Sequence, residues 1–403
     1  MMTIGSNKPD GVIVIGGYIN GLGIIRSFSE FGIRTAVICT KAYDLAQYSN
    51  CIEAHESALE LGEKPECLTE VLARRSALWK GWALFPANDE ALAAVSRCRH
   101  LLEADYTILA PSGEIAQYFL DKELMLKTAQ DSGIPVPKCY GNAVSDTVNR
   151  VDFDFPVIVK PIVSYRFSER FGCKVLVAHD RLELTQAVSR VEEEGIACQI
   201  YDIVPGPDSS IFCHCLHMGA DGVPGANLTV QKIRQSPPFF GVSRVARLVP
   251  HVPGFNEALT EFLRRIRFRG VAIAEFKLDP RDGTFRLLEI NGRSVLYNLL
   301  LRKGGMDLAA LAWSEYTGEH LGSAEITHWP GVWINLHADL FHSVYHRRNE
   351  NLKLKDYFAP YMLPKMEAVW SSRDPKPFLV QWARTVRRGA RLLNGRFSSS
   401  NLS

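Results

Sequence analysis

Ala274-Glu275-Phe276-Lys277-Leu278-Asp279 and Leu287-Leu288-Glu289-Ile290-Asn291-Gly292-Arg293 decide how this chain is read. They lie in two apolar-rich runs, 272–278 and 284–290, joined by Pro280-Arg281-Asp282-Gly283. Proline and glycine supply the dihedrals of a tight turn, so the segment predicts a β-hairpin. Alternate side chains of a strand share a face, which sets Glu289, Asn291 and Arg293 together and turns Leu288 and Ile290 to the other side. Glu275, on the partner strand, is close enough in register to face Glu289. Two carboxylates and an amide oxygen are hard donors of the kind that hold Mg²⁺. Buried without a cation, the carboxylates would repel and their pKa values would rise. A solvated edge hairpin, with Asn-Gly as ordinary turn chemistry, reads the same way in isolation.

Upstream, two lysines are placed for an anion. Lys122 opens a helix behind Asp121, which has the chemistry of an N-cap. Lys160 ends the apolar strand Phe155-Pro156-Val157-Ile158-Val159-Lys160 before Pro161. Each alone is either a surface lysine with a buried stem or a point charge held for an anion.

The rest of the chain alternates strand and helix. Val12–Ile15, broken by Gly16-Gly17, then Ile24–Phe31 with helical spacing and Thr35–Cys39, predict a β-loop-α-β start. Further strands at 82–86 and 106–109, with helices at 89–98 and 114–120, predict a parallel, doubly wound sheet. A second unit begins with the helix 121–132 and continues through strands at 157–160, 174–178 and 197–201 around a helix at 181–194. After Pro205-Gly206-Pro207, a third unit holds strands at 210–217 and 227–233, a helix at 255–267 and the hairpin. From Trp329 the pattern loses its period, and Ser398-Ser399-Ser400-Asn401 reads as a disordered tail.

Composition narrows the function. The 403 residues are 46% hydrophobic and 22% charged with a formal charge of +2, ordinary for a soluble enzyme of two or three domains. Neither a concentrated basic excess nor an aromatic–basic interleaving is present, which argues against nucleic acid as a partner. No run of about 18 apolar residues marks a membrane span. The nine cysteines form no CxxC pair, and with no signal peptide at the N-terminus they suggest reduced thiols and a cytoplasmic location.

Gly16-Gly17-Tyr18-Ile19-Asn20-Gly21-Leu22-Gly23 invites a dinucleotide reading, but Arg26 stands where a third glycine belongs. Cys39-Thr40 offers no acid to a ribose, so an NAD(P)-dependent oxidoreductase is disfavoured. Cys213-His214-Cys215-Leu216-His217 has i, i+2 spacing, unlike zinc geometry, and reads as core thiols. The segment 378–396 carries Arg384, Arg387, Arg388, Arg391 and Arg396 among apolar residues. It reads as a terminal helix docked on the protein, with weak contact to a membrane surface as the alternative.

Taken in order, Asp121-Lys122, Phe155–Pro161, Tyr201-Asp202-Ile203-Val204-Pro205-Gly206, Glu275-Phe276 and Glu289-Ile290-Asn291-Gly292-Arg293 resemble the ATP-grasp superfamily. The resemblance runs from about Gly11 to about Gly318 and is strongest to its carboxylate–amine ligase branch. It implies an α/β ATP-grasp fold: a Rossmann-like domain at 1–120, grasping lobes at 121–204 and 205–320, and a C-terminal extension at 321–403. It implies ATP and Mg²⁺, with Mn²⁺ as an alternative metal, and a compatible homodimer. Lys122, Lys160 and Lys174 would hold phosphates, Tyr201, Asp202 and Val204 would line the adenine hinge, and Asp208 would face the ribose. Glu275, Glu289 and Asn291 would bind the metal. Arg293, Lys232 and Arg234 would contact the substrate carboxylate or the transferring phosphoryl group. The implied activity is formation of an acyl phosphate from a small carboxylate, followed by attack of an amine. An ATP-binding protein without ligase activity is the alternative.

The lid of the resemblance, 162–174, departs from the glycine-rich norm. Ser164-Tyr165-Arg166-Phe167-Ser168-Glu169-Arg170-Phe171-Gly172 is bulky and charged, so it offers side-chain charge, a different closure, or simply an exposed loop. The glycines at 16–23 are expected to approach a substrate anion on the acceptor side.

Overall fold

The computed structural model describes residues 8–322, 325–345 and 353–393. Its first sheet takes Val12–Ile15 (β1), Thr35–Cys39 (β2), Ala54–Ser57 (β3), Ala83–Pro86 (β4) and Thr107–Ile108 (β5), all parallel, in the order β3-β2-β1-β4-β5. β1 and β2 are buried along their whole length because helices cover both faces. Val12 and Val14 enter one apolar core, whereas Ile13 and Ile15 enter another on the opposite face. The strand order reverses beside β1, where it lies between β2 and β4. Such a switch point opens a crevice at the carboxyl ends of the strands.

A second, antiparallel sheet is built from Cys139–Asn142 (β6), Val157–Pro161 (β7), Leu176–Ala178 (β8) and Cys198–Asp202 (β9), ordered β6-β9-β7-β8. The bulky segment between β7 and β8 is a helix, Ser164–Phe171, where an irregular lid loop was one expectation. Phe167 explains it: its ring is fully buried in the core of this lobe and packs 4.5 Å from Phe171. Gly172, with φ of 66°, ends the helix in the left-handed region.

The third sheet is the largest. It comprises Ile211–Met218 (β10), Pro224–Ser236 (β11), Val242–Val249 (β12), Gly270–Leu278 (β13), Phe285–Asn291 (β14), Val332–Ile334 (β15) and Lys365–Glu367 (β16), ordered β14-β13-β10-β11-β12-β15-β16. β15 and β16 come from the segment read as a C-terminal extension, which thus adds an edge to this sheet. The same segment also binds the first domain. Asp374, fully buried, accepts from Arg26 Nε at 3.0 Å, from Ser49 Oγ at 2.7 Å and from the Asn50 amide at 2.8 Å. The helix Lys376–Leu393 follows, and residues 394–396 and the expected disordered tail at 398–401 lie outside the described residues.

Candidate active site

The β13–β14 hairpin places Glu275 directly opposite Glu289, and Ile273 opposite Asn291. Its register shifts between Glu275 and Phe276, because Phe276 pairs with Leu287 and leaves Leu288 without a partner. Strict alternation put Leu288 with Ile290 in the core. The bulge corrects this: Leu287 and Ile290 fill the core, and Leu288 stays half-buried outside it. The carbonyl freed at Leu288 accepts from Lys160 Nζ at 3.0 Å. One irregularity therefore both aims Glu289 and docks a lysine from the smaller sheet. Gly292 is required just beyond, since a Cβ there would lie 2.7 Å from the Phe119 ring.

Around the carboxylate pair gather cations from several elements. Lys122 is the first residue of the helix Lys122–Asp131, capped by Asp121, whose carboxylate accepts from the Leu124 amide. Its Nζ is 3.1 Å from Glu289 Oε1. Lys232 on β11 reaches Glu275 Oε2 at 2.6 Å. Lys174, just before β8, points its Nζ at the Gly241 carbonyl at 3.5 Å. Arg293 makes a two-pronged contact with Asp89, Nε to Oδ1 at 2.7 Å and Nη2 to Oδ2 at 2.9 Å. Asp89 opens the helix Asp89–Leu102 at the end of β4, so this pair joins the hairpin to the switch-point crevice.

The titrations follow from this crowding. Burial works to raise the Glu289 carboxyl, yet Lys122, Lys174, Lys160 and Arg293 together hold it well below the usual carboxylate range. Burial pushes the Lys160 ammonium down to about 7, helped by Lys122 and only partly opposed by Glu289. Lys174 is lowered, chiefly by burial. Burial works to lower the Lys232 ammonium, but Glu275, with Cys213 and Glu289, raises it. Lys122, Lys160, Lys174, Lys232 and Arg293 outnumber Glu275, Glu289 and Asp89. The site has cationic capacity to spare for a polyanion.

The residues expected to line an adenine hinge sit at the end of β9 and just beyond it. Tyr201 is buried, with its hydroxyl donating to Gln199 Oε1 at 2.5 Å and its ring 5.8 Å from Lys160 Nζ. The Asp202 amide donates to the Lys138 carbonyl at 3.0 Å, and its carboxylate accepts from Arg281 at 2.8 Å. Val204 is buried beyond them. Asp208 is bound within the protein: it accepts from the Gln235 amide at 2.8 Å, the Gln235 side chain at 3.0 Å and the Phe239 amide at 2.9 Å. Its carboxylate pins the turn after β11, where Phe239 has φ of 70°.

Arg234 is not brought into the cluster. It is buried in a two-pronged pair with Asp339, at 2.8 and 2.7 Å, and donates to the Tyr357 carbonyl. A register shift in β11 separates it from Lys232. The amide of Gly17, expected to meet a substrate anion, donates to Asp44 at 2.9 Å, which also accepts from the Thr40 and Lys41 amides. Burial raises the Asp44 carboxyl against these bonds. Sequence reasoning missed Asp89, whose only signal is an acid in a first helical turn, an ordinary complement to the helix dipole. It also missed Lys41, which bridges Glu90 at 2.9 Å and Glu169 of the helix Ser164–Phe171. Among the described residues no group of three or more His, Cys, Asp and Glu converges as a metal site. What the chain offers a hard cation is Glu275 and Glu289 with Asn291.

No family model matches the chain. Over 328 residues it is 23% identical to the D-aspartate ligase of Enterococcus faecium (strain Aus0004), a match that covers 77% of each protein. The crystal structure of L-amino acid ligase from Bacillus licheniformis superposes with a TM-score of 0.62 at 16% identity, covering 81% of this chain and 78% of that one. The biotin carboxylase domain of 2-oxoglutarate carboxylase from Hydrogenobacter thermophilus, solved with MgADP and bicarbonate, superposes with a TM-score of 0.63 at 14% identity, covering 81% and 74%. The fold of this chain is the ATP-grasp fold, and within it the chain resembles the carboxylate–amine ligases.

Proposed function

We propose that the protein is an Mg²⁺- and ATP-dependent ligase that converts a small carboxylate to an acyl phosphate and couples it to an amine, releasing ADP and phosphate. One observation carries this reading: Lys122, Lys160, Lys174, Lys232 and Arg293 converge on the paired carboxylates of the β13–β14 hairpin. A carboxylate is a poor electrophile, and transferring a phosphoryl group to it gathers many negative oxygens in one place. Fixed cations in a water-poor site stabilise that charge without reorganising.

Lys122, Lys160 and Lys174 hold the phosphate oxygens, and the hinge at Tyr201, Asp202 and Val204 lines the base. Asp208 serves the site through the turn it pins rather than by reaching a ribose. Lys232 and Arg293 orient the substrate carboxylate, and Arg293 steadies the tetrahedral oxyanion when the amine attacks. Glu275, Glu289 and Asn291 have the donor chemistry for Mg²⁺, or Mn²⁺ in its place, which would neutralise charge on the phosphate oxygens. Lys122 and Lys232, which pair with those carboxylates here, would then be available to phosphate and to the substrate carboxylate respectively. Nucleotide-dependent chemistry together with the free thiols of the described cysteines fits a cytoplasmic enzyme.

The test is ADP release across a panel of amino acids and other small carboxylates, beginning with D-aspartate, with hydroxylamine present to trap an acyl phosphate as hydroxamate. Carboxylate-dependent ADP and hydroxamate are expected. ADP release that no carboxylate stimulates, unchanged in Glu289→Gln, overturns the reading.

A further inference from the structure

From Pro375 to the end, the sequence holds Lys376, Arg384, Arg387, Arg388, Arg391 and Arg396 and no aspartate or glutamate. The whole chain carries only +2, so the remainder is net acidic and the positive charge is concentrated in this one segment. The helix Lys376–Leu393 uses one flank to bind its own protein. Arg384 donates to the Tyr43 carbonyl at 2.8 Å and to the Tyr48 hydroxyl at 3.1 Å, Gln381 is buried, Phe378 packs against the core below and Trp382 lies 6.3 Å from His337.

The other flank is turned outward. Leu379 is 57% and Val386 66% exposed, with Ala383 exposed between them. Spacings of four and three residues place these side chains in one line along a helix. Exposed Lys376 and Arg387 border the line. At the start of the helix Trp370, 49% exposed, packs 5.2 Å from Phe378.

We propose that this outer face docks on an anionic lipid surface. An apolar stripe edged by basic residues, with a tryptophan at one end, is the arrangement of a helix lying in the plane of a bilayer interface. No helix among the described residues is long and apolar enough to cross a membrane, so the contact is peripheral. A second copy of this chain fits the face less well. A two-fold contact through it with the helices antiparallel would bring Lys376 of one copy toward Arg387 of the other, and like charges oppose association. Anionic headgroups complement the same charges. The docking flank stays with the protein, so the fold need not change on binding. This inference is independent of the ligase reading.

The experiment is co-sedimentation of the full chain with phosphatidylcholine vesicles, with and without phosphatidylserine. Binding is expected only to the anionic vesicles, weakening as salt rises, with a blue shift in tryptophan emission. The double variant L379E/V386E should lose at least about tenfold in partitioning, since it replaces the exposed apolar stripe with charge of the same sign as the headgroups. Arg387→Ser should lose about fivefold, the worth of one basic residue near such a surface. Both variants alter exposed side chains and should keep the parent's thermal midpoint, which shows the chain intact. Failure to sediment with anionic vesicles, equal sedimentation with neutral ones, or unchanged partitioning of L379E/V386E overturns the proposal. A parent dimer that L379E/V386E dissociates in sedimentation velocity, without lipid binding, overturns it too and assigns the face to a second copy.

Discussion

Lys232 and Arg234 stand two residues apart on β11 and belong to two different clusters of buried charge. Lys232 joins Glu275, Glu289 and the other lysines, where cations are in excess and the ammonium of Lys160 is driven down to about 7. Arg234 joins Asp339, which is fully buried, accepts from the Tyr361 hydroxyl and has the guanidinium of Arg244 3.1 Å away as a second ion-pair partner. Around Asp339 the carboxylate is saturated by its own protein, and the pair ties β11 to the helix Leu336–Tyr345. Around Glu289 the cations exceed what the protein can neutralise. A buried ion pair that is complete argues for structure, whereas one left with unspent charge argues for a ligand. The resemblance implied both residues as substrate contacts, and a register shift between them divides the roles.

The largest expected effect breaks the saturated cluster. Arg234→Ala leaves Asp339 with one fewer partner in the interior, and removing half of such a pair costs about 3–5 kcal/mol. Urea unfolding should show that loss, while ADP release per folded molecule stays near the parent value. A variant of parental stability that has lost activity would return Arg234 to the substrate and erase the contrast.

Next in size is Glu289→Gln, which keeps the shape of the unsaturated cluster and removes its charge. Hydroxamate formation should fall about 10²–10³-fold, the range seen when one element of transition-state charge stabilisation is deleted. Asp339→Asn, the matched change in the other cluster, should move the thermal midpoint far more than the rate per folded molecule.

The unsaturated cluster was partly legible in the sequence and the saturated one was not, for physical reasons. That Glu275 and Glu289 share a hairpin followed from the apolar runs and a turn of known chemistry, but their facing did not: the register set by the turn leads Glu275 to Leu288, and the bulge moves it opposite Glu289. The bulge at Leu288 was not legible, because an inserted residue leaves no compositional mark between Leu287 and Glu289. β12, Val-Ser-Arg-Val-Ala-Arg-Leu-Val, was missed because Arg244 is buried against Asp339 and so broke the expected apolar alternation. Asp89 and Asp339 were invisible as partners, since each is distant in sequence from the arginine it holds. Long-range pairing is fixed by the fold, not by local pattern.

Lys160 offers a smaller, titratable handle. Its pKa lies below its ordinary value in the free protein, so above about 7 it is largely neutral there. A bound phosphate would raise that pKa again, and binding must then take up a proton. ATP affinity should fall as pH climbs from about 7, by up to about tenfold per unit. Calorimetry in buffers of different ionisation enthalpy should report proton uptake at pH 8 and little at pH 6. Without nucleotide the sign reverses: Lys160 opposes folding most below its folded pKa, and that cost is relieved as pH rises through about 7 toward the unfolded value of 10.5. Lys160→Met should flatten both profiles; an ATP affinity that keeps the same pH slope in that variant assigns the proton elsewhere.

The smallest expected effect lies where the unsaturated cluster meets the first domain. Asp89 grips Arg293 through both carboxylate oxygens from the first turn of its helix, so it fixes the plane of the guanidinium before any substrate arrives. Asp89→Asn keeps an acceptor and loses the charge, and hydrogen bonds to charged groups contribute about 1.5–3 kcal/mol. Part of that contact survives in the amide, so kcat/KM for the carboxylate should drop about tenfold. KM should carry more of the change than kcat, because Arg293 orients the ground state as well as the oxyanion. The opposite sign is equally informative: were Asp89 merely occupying the place of a substrate carboxylate, Asp89→Asn would lower KM. A lowered KM would move Arg293 from a residue held ready by the first domain to one that the first domain restrains.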